Sequence, residues 1–325
     1  MPRKRDFYHT GLDVARSECQ QHRRLGAING MVLAGSPAGA ADYYVDGNVA
    51  FTGSGSLDEP FSTLAEAIAA SNTSIQLRDN RWWARRNRIF ACGDHEITED
   101  LTVFPEKCDI IGFGYDVEAK PCLTGHHTIA AIATGYARGT RWFNWRFQND
   151  NAGETFYLPT LSYACEWHGC DFEPLATGST HAIRLVDDNR GFKMIGCRIL
   201  QSVAGGIAAG VFAEGIKVEG NGQHDMIIAG NFMRATEGIH VIAGAANYNM
   251  IIDDNIIHST AIAINDVASL AYVTNNNVIT DADADVAAGE QAIVCNLSYA
   301  NGNFVTGTGT GIKNAPFPFQ VVLTS

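Results

Sequence analysis

The 325-residue chain has no run of 18 or more apolar residues, which excludes a helical membrane span. Its eight cysteines, Cys19, Cys92, Cys108, Cys122, Cys165, Cys170, Cys197 and Cys295, form no Cys-x-x-Cys pair, so neither a zinc site nor a disulfide framework is expected. Met1-Pro-Arg-Lys-Arg-Asp6 carries charge with no apolar stretch after it, so no secretory leader is expected. Positive charge is scarce: 23 Lys and Arg face 35 Asp and Glu, a net of −12. What there is gathers at the start. Residues 1–24 hold Arg3, Lys4, Arg5, Arg16, Arg23 and Arg24 against Asp6, Asp13 and Glu18, a net of +3, which leaves −15 for the rest. A basic arm on an acidic body suggests docking, with Arg3, Lys4 and Arg5 as contacts. The alternative is an arm with no partner. Residues 8–26 read as a modest helix and residues 26–41 as a Gly/Ala/Ser/Pro linker.

What the chain does have is a repeat. Seven segments share one pattern: residues 140–147, 165–172, 192–199, 226–233, 250–257, 272–279 and 298–305. Their sixth residues are Trp145, Cys170, Cys197, Asn231, Asn255, Asn277 and Asn303, spaced 25, 27, 34, 24, 22 and 26 residues apart. The residue before each is Asn144, Gly169, Gly196, Gly230, Asp254, Asn276 or Gly302. Gly, Asn and Asp tolerate a left-handed backbone, so the chain is expected to bend there in every repeat. Apolar residues alternate on both sides of the bend, the period of a strand with one face on a core. A strand-bend-strand unit recurring at this interval means a solenoid. No unit buries its own apolar face, so the coils must stack. A second strand follows most bends: 206–208, 238–241 and 261–264. The expected fold is all-β, a single-stranded parallel β-helix with coils ~4.8 Å apart. Asn231, Asn255 and Asn277 then stand above one another and form an amide ladder.

Ahead of the repeat, Tyr43-Tyr-Val-Asp-Gly-Asn48 leads through a loop to Pro60-Phe-Ser-Thr-Leu-Ala-Glu-Ala-Ile-Ala-Ala-Ser71. Thr63 and Glu66 make a capping box for a short helix. Residues 88–103 and Cys108-Asp-Ile-Ile-Gly-Phe-Gly114 follow. This order, strand-Asp-Gly, Pro-Phe-x-Thr helix, Gly-x-x-x-x-Glu-x-Leu-x-Val and Ile-Ile-Gly-x-Gly, resembles the start of a pectin-lyase-like right-handed β-helix. The resemblance covers about residues 43–305. It implies that the N-terminal helix covers the open end of the first coil. The superfamily includes pectate lyases, polygalacturonases, epimerases and bacteriophage spikes and appendages. The divisions that follow are 1–42 basic arm and linker, 43–79 opening strand and capping helix, 80–315 β-helix, and 316–325 C-terminal tail.

Candidate sites are few. Arg81, Trp82, Trp83 and Arg85, within an Arg-rich stretch at 78–88, offer charge and stacking for a sugar or phosphate. The alternative is that both tryptophans pack on the end cap. Asp187-Asp188, Asp253-Asp254, His126-His127 and Asp281-Ala-Asp-Ala-Asp285 suit structural roles better than chemistry. The Gly-His-Gly and Arg-Ile-Lys pieces of polygalacturonases are missing, Gly215-Ile216-Lys217 being a faint echo. No catalytic, cofactor or metal set is therefore expected. On the outward column, Arg141, Glu166 and Lys193 give way to Ile227, Ile251, Val273 and Tyr299. Such a stripe is usually covered by a partner, and self-association about a threefold axis is the simplest expectation. A loop in the long 34-residue interval, from Gly215 to His224, is the other candidate cover. The function expected from these signs is a structural virion protein of a bacteriophage, a capsid decoration, appendage or spike subunit. It would be a homotrimer attached by its arm to other virion proteins, with no membrane contact. The alternatives are a polysaccharide lyase or hydrolase (a depolymerase) and a glycan-binding rod.

Overall fold

The computed structural model describes residues 40–76, 86–92, 96–114, 120–128, 137–159, 162–175, 178–201, 210–242, 247–266, 269–280, 292–295, 299–307, 312–313 and 322–323. The chain winds into a right-handed parallel β-helix. Ten strands form one sheet in strict chain order: Asp42–Val45, Asn87–Cys92, Cys108–Phe113, Arg141–Phe143, Glu166–His168, Lys193–Ile195, Ile227–Ala229, Asn247–Asp253, Ser269–Thr274 and Tyr299–Asn301. Every pairing in it is parallel. Seventeen of the other strands join into a second system that supplies the remaining two faces of each coil, and Ala137–Arg138 pairs separately with Ser162–Tyr163. At ~4.8 Å per rung, ten rungs span about 43 Å.

Side chains stack in files because parallel register is kept from coil to coil. Ile110, Trp142, Trp167, Met194, Ile228, Ile252, Val273 and Ala300 form one inner file. Phe147, Phe172, Ile199, Met233, Ile257, Val278 and Val305 form a second beyond the bend. All are buried. Between the files lies the bend, and its residues have positive φ throughout: Asn144 60°, Gly169 60°, Gly196 61°, Gly230 65°, Asp254 52°, Asn275 54° and Gly302 66°.

The sixth of these rungs corrects the sequence register. The sixth bend is at Asn275, not Asn276, and the ladder residue is Asn276, not Asn277. Consequently Val273 points inward, fully buried, and Tyr272 takes the outward place expected for it. The amide ladder itself is present and one rung longer than expected. Nδ2 of Asn231, Asn255 and Asn276 each donates to Oδ1 of the next asparagine at 2.9 Å, ending on Asn303. Each Nδ2 also donates to a main-chain carbonyl, of Met194, Ile228 and Ile252 at 2.9 Å, and Asn303 to Val273 at 2.8 Å. Cysteines continue the file downward, the Cys170 amide donating to Cys197 Sγ at 3.4 Å. Cys108, Cys122, Cys165, Cys170, Cys197 and Cys295 are buried free thiols.

The helix Leu64–Gln76 closes the first coil. The capping box forms: Glu66 N donates to Thr63 Oγ1 and Thr63 N to Glu66 Oε2, both at 3.2 Å. Glu99 adds a second cap, accepting from the amides of Leu64 at 2.7 Å and Ala65 at 3.2 Å. Leu64, Ala67 and Ile68 point into the same core as Leu101 and Phe104.

The outward side chains on either side of the bend are matched, five residues apart in each rung. Arg141 pairs in this sense with Arg146, Glu166 with Asp171, Lys193 with Arg198, Ile227 with Phe232, Ile251 with Ile256, Tyr272 with Asn277 and Tyr299 with Phe304. Up both sheets the sign alternates rung by rung, then charge stops. Ion pairs stitch the charged rungs: Arg88 to Asp42 at 2.8 Å, Arg141 to Asp109 at 2.7 Å, Lys193 to Glu166 at 2.9 Å and Arg198 to Asp171 at 2.7 Å. Lys120 reaches the buried Asp171 from the far side, at 2.8 Å. In the long interval, Phe212–Glu219 is a strand of the third face, so Gly215 and its neighbours up to Glu219 are no covering loop.

Candidate functional site

The third face begins where the chain turns a second time after the bend. Glu154–Leu158, His181–Val186, Phe212–Glu219 and Phe232–Val241 pair in parallel there. Phe156, Ile183, Ile216 and Ile239 point inward and are buried. The residue after each points outward, as period two requires. One outward file is Tyr157, Arg184, Lys217, His240 and Asn265. A second, three residues earlier in each strand, is Glu154, His181, Glu214 and Glu237. Three carboxylates, two imidazoles, a guanidinium, an ammonium and a phenol thus meet over four rungs.

Glu214 is the hub. Its Oε1 lies 2.6 Å from His240 Nδ1. Its Oε2 lies 2.5 Å from His181 Nε2 and 3.2 Å from Lys217 Nζ. Glu237 Oε2 approaches the same His240 Nδ1 at 3.2 Å. One oxygen of each carboxylate and a ring nitrogen of His240 all lie within 4.8 Å of one another. One rung below, Arg184 bridges Glu154 at 2.8 Å and Glu219 at 2.7 Å and lies over the Tyr157 ring, 5.2 Å from its centroid. His126 Nδ1 sits 2.5 Å from the Glu154 carbonyl.

The two central carboxyls are driven apart. Burial raises the Glu214 carboxyl, but hydrogen bonds from His181 and His240 outweigh it and hold the group well below the usual carboxylate range. Burial also raises Glu237, and there it wins: the negative charge of Glu214 adds to it against the attraction of His240. His240 is raised by its hydrogen bond to Glu214, against burial. The result is a fixed anion beside a carboxyl that keeps its proton longer than usual. Glu214, Glu237 and His240 are also a donor set a divalent cation could use. Here Lys217, His181 and His240 already answer the charge of Glu214.

None of these acids stands out in the sequence; Lys217 and His126 do. Of the others that do, Ile227, Ile251 and Tyr299 lie outward on the first sheet, away from the cluster, and Val273 lies in the core. Arg3, Lys4, Arg5, Arg81, Trp82, Trp83, Arg85 and Asp281–Asp285 lie outside the described residues. Asp187 and Asp188 follow a third-face strand with φ of 45° each, and Asp188 pairs with Arg190 at 2.8 Å, a corner role. Asp253 accepts from Thr274 at 2.6 Å and Asn275 at 3.0 Å. His127 is buried against Phe156, and burial pushes its imidazole down to about 3.

No family model and no curated protein matches the chain. Solved structures do. A rhamnogalacturonan lyase superposes with a TM-score of 0.52 at 10% identity, over 88% of this chain and 85% of the other. A mutant of DFA-IIIase from Arthrobacter chlorophenolicus A6, in complex with DFA-III, gives 0.46 at 10% identity, over 81% of this chain and 76% of the other. At such identity the likeness is one of architecture: this chain has the pectin-lyase-like parallel β-helix fold.

Proposed function

We propose that the protein cleaves a polysaccharide on its third face, with Glu237 as proton donor and Glu214 as the fixed negative charge beside it. The observation that carries this reading is the pair of facing carboxyls with opposite protonation tendencies on a solvent-facing file. Glycosidic bonds break when the leaving oxygen is protonated while positive charge develops on the sugar carbon. Glu237 holds the proton for the first requirement; Glu214 stabilises the second. One oxygen of each carboxyl lies within 4.8 Å of the other, so both can reach one sugar. His240 and Lys217 orient Glu214, and Tyr157 with Arg184 gives an adjoining sugar a stacking surface one rung away. The fold likeness to a rhamnogalacturonan lyase supports a glycan substrate only at the level of architecture.

The test is depolymerisation across a panel of neutral and uronate-containing polysaccharides. Wild type is expected to release new reducing ends; Glu237→Gln is expected to lose about 10²–10⁴-fold. An unsaturated uronate on the product assigns a lyase, a saturated product a hydrolase. Polymer cleavage undiminished in Glu237→Gln contradicts the assignment.

A second reading has its own support. The apolar edge of the last four rungs and the basic arm suit a bacteriophage virion component, a spike or appendage subunit carrying this face outward on a particle. Labelled antibody located on assembled virions tests it.

A further inference from the structure

Eight outward positions flank the bend in the last four rungs; all but Asn277 are apolar, and six of these, Ile227 apart, are exposed large side chains. Ile251 is 40% exposed, Tyr272 58% and Tyr299 37% on the first sheet; Phe232 is 38%, Ile256 43% and Phe304 39% on the second. Large side chains present roughly 150–250 Å² each when bare, so on the order of 500 Å² of apolar surface is left open along one edge. That equals the largest patches soluble monomers normally show, and a polar rim brings it to the roughly 600–800 Å² per partner of a small specific interface. The same two files are charged in the rungs below and become apolar at the same rung, which marks the patch as one feature.

We infer that this edge is where three copies of the chain meet, the first-sheet row of one against the second-sheet row of the next. The shape selects the occupant. The patch wraps a corner, so a single flat partner covers one sheet and leaves the other wet. In a closed ring of three each copy has two neighbours, and each row finds one. Charge sets its extent. In parallel copies the lower rungs would face each other with like sign, Arg141 to Arg146, Glu166 to Asp171 and Lys193 to Arg198. The contact is therefore confined to the uncharged rungs. The inference is independent of the carboxylate cluster, which lies on the third face.

Light-scattering mass of the full chain is expected to give three chains of 35.0 kDa each. Ile251→Lys with Tyr272→Lys is expected to give one chain with an unchanged β spectrum, whereas Lys193→Gln, one rung below the patch, keeps the assembly. Should the double variant fail to fold, Tyr272→Cys with Asn277→Cys under mild oxidation reads the same contact: covalent trimers support it, and single chains alone overturn it. A wild-type mass of one or two chains, or three chains retained in the lysine variant, also overturns it. Capture of a different protein by a wild type that stays monomeric does so too.

Discussion

Rungs at 141–199 and rungs at 227–305 share one backbone plan and solve it with different chemistry. The lower rungs fill the core with rings: Trp142, Trp145, Phe147, Phe156, Trp167 and Phe172 meet at centroid distances of 4.8–6.3 Å. Their outer surface is a ladder of ion pairs. The upper rungs have a core of Ile, Met and Val, a corner of hydrogen-bonded amides, and an apolar outer edge. Large rings fill volume but bring polar atoms with few partners: the indole nitrogens of Trp142, Trp145 and Trp167 are buried without a hydrogen-bond acceptor among the described residues. The asparagine corner buries more polar groups and satisfies them, Asn231, Asn255 and Asn276 each bonding both the next amide and a carbonyl. A corner can thus be held by volume or by hydrogen bonds. The outside follows a parallel division, closed by ion pairs below and left open above.

The widest separation between the two halves is expected from Asn255→Leu. It strips bonds from Asn231, Asn276 and the Ile228 carbonyl at once, each loss worth about 1–3 kcal/mol, so denaturant unfolding should show about 3–5 kcal/mol lost. A loss under about 1 kcal/mol would make the ladder ornamental.

Acid should then loosen the lower half first. Burial raises the Glu166 carboxyl, but hydrogen bonds from His168 and Lys193 outweigh it and hold it down at about 2, against 4.5 ordinarily. A depressed folded value means the stabilisation is complete above about pH 4.5 and is lost as pH falls towards 2. Hydrogen exchange across that window should lose protection at 166–168 and 193–195 while 227–229 and 251–253 hold. Simultaneous loss in both would deny the contrast. Activity has the opposite sign: Glu237 is raised and acts protonated, so the rate should fall as pH rises through its folded value, a limb read from a pH profile of kcat/KM.

The smallest effect sharpens the comparison from the other side. Trp145→Phe removes ring volume and an unpaired indole N–H together, and these offset, so unfolding should change by less than about 1 kcal/mol. A larger loss would mean that the ring's volume dominates the corner.

The repeat was legible because each bend needs a left-handed residue at one fixed place, and because inner files need apolar residues two apart. The one slip, at Asn275-Asn276-Asn277, has a physical cause. Asparagine suits both the bend and the ladder, so three in a row leave the register open, and only the burial of Val273 over Tyr272 decides it. The carboxylate cluster was not legible for a different reason. From corner to third-face strand the chain takes 11 residues between Trp145 and Phe156, 13 between Cys170 and Ile183, 19 between Cys197 and Ile216, and 8 between Asn231 and Ile239. Aligning the coils on their corners therefore scatters Glu154, His181, Glu214 and Glu237, although in space they form one file. The file appears only when third-face strands are aligned on their own inward residues.

The most direct measurement is a crystal structure of the Glu237→Gln variant holding an oligosaccharide of the polymer the wild type cleaves. The account predicts a sugar across the third face, its glycosidic oxygen within hydrogen-bond reach of residue 237 and a neighbouring ring over Tyr157. A sugar bound on another face, with residues 214 and 237 untouched, would contradict it.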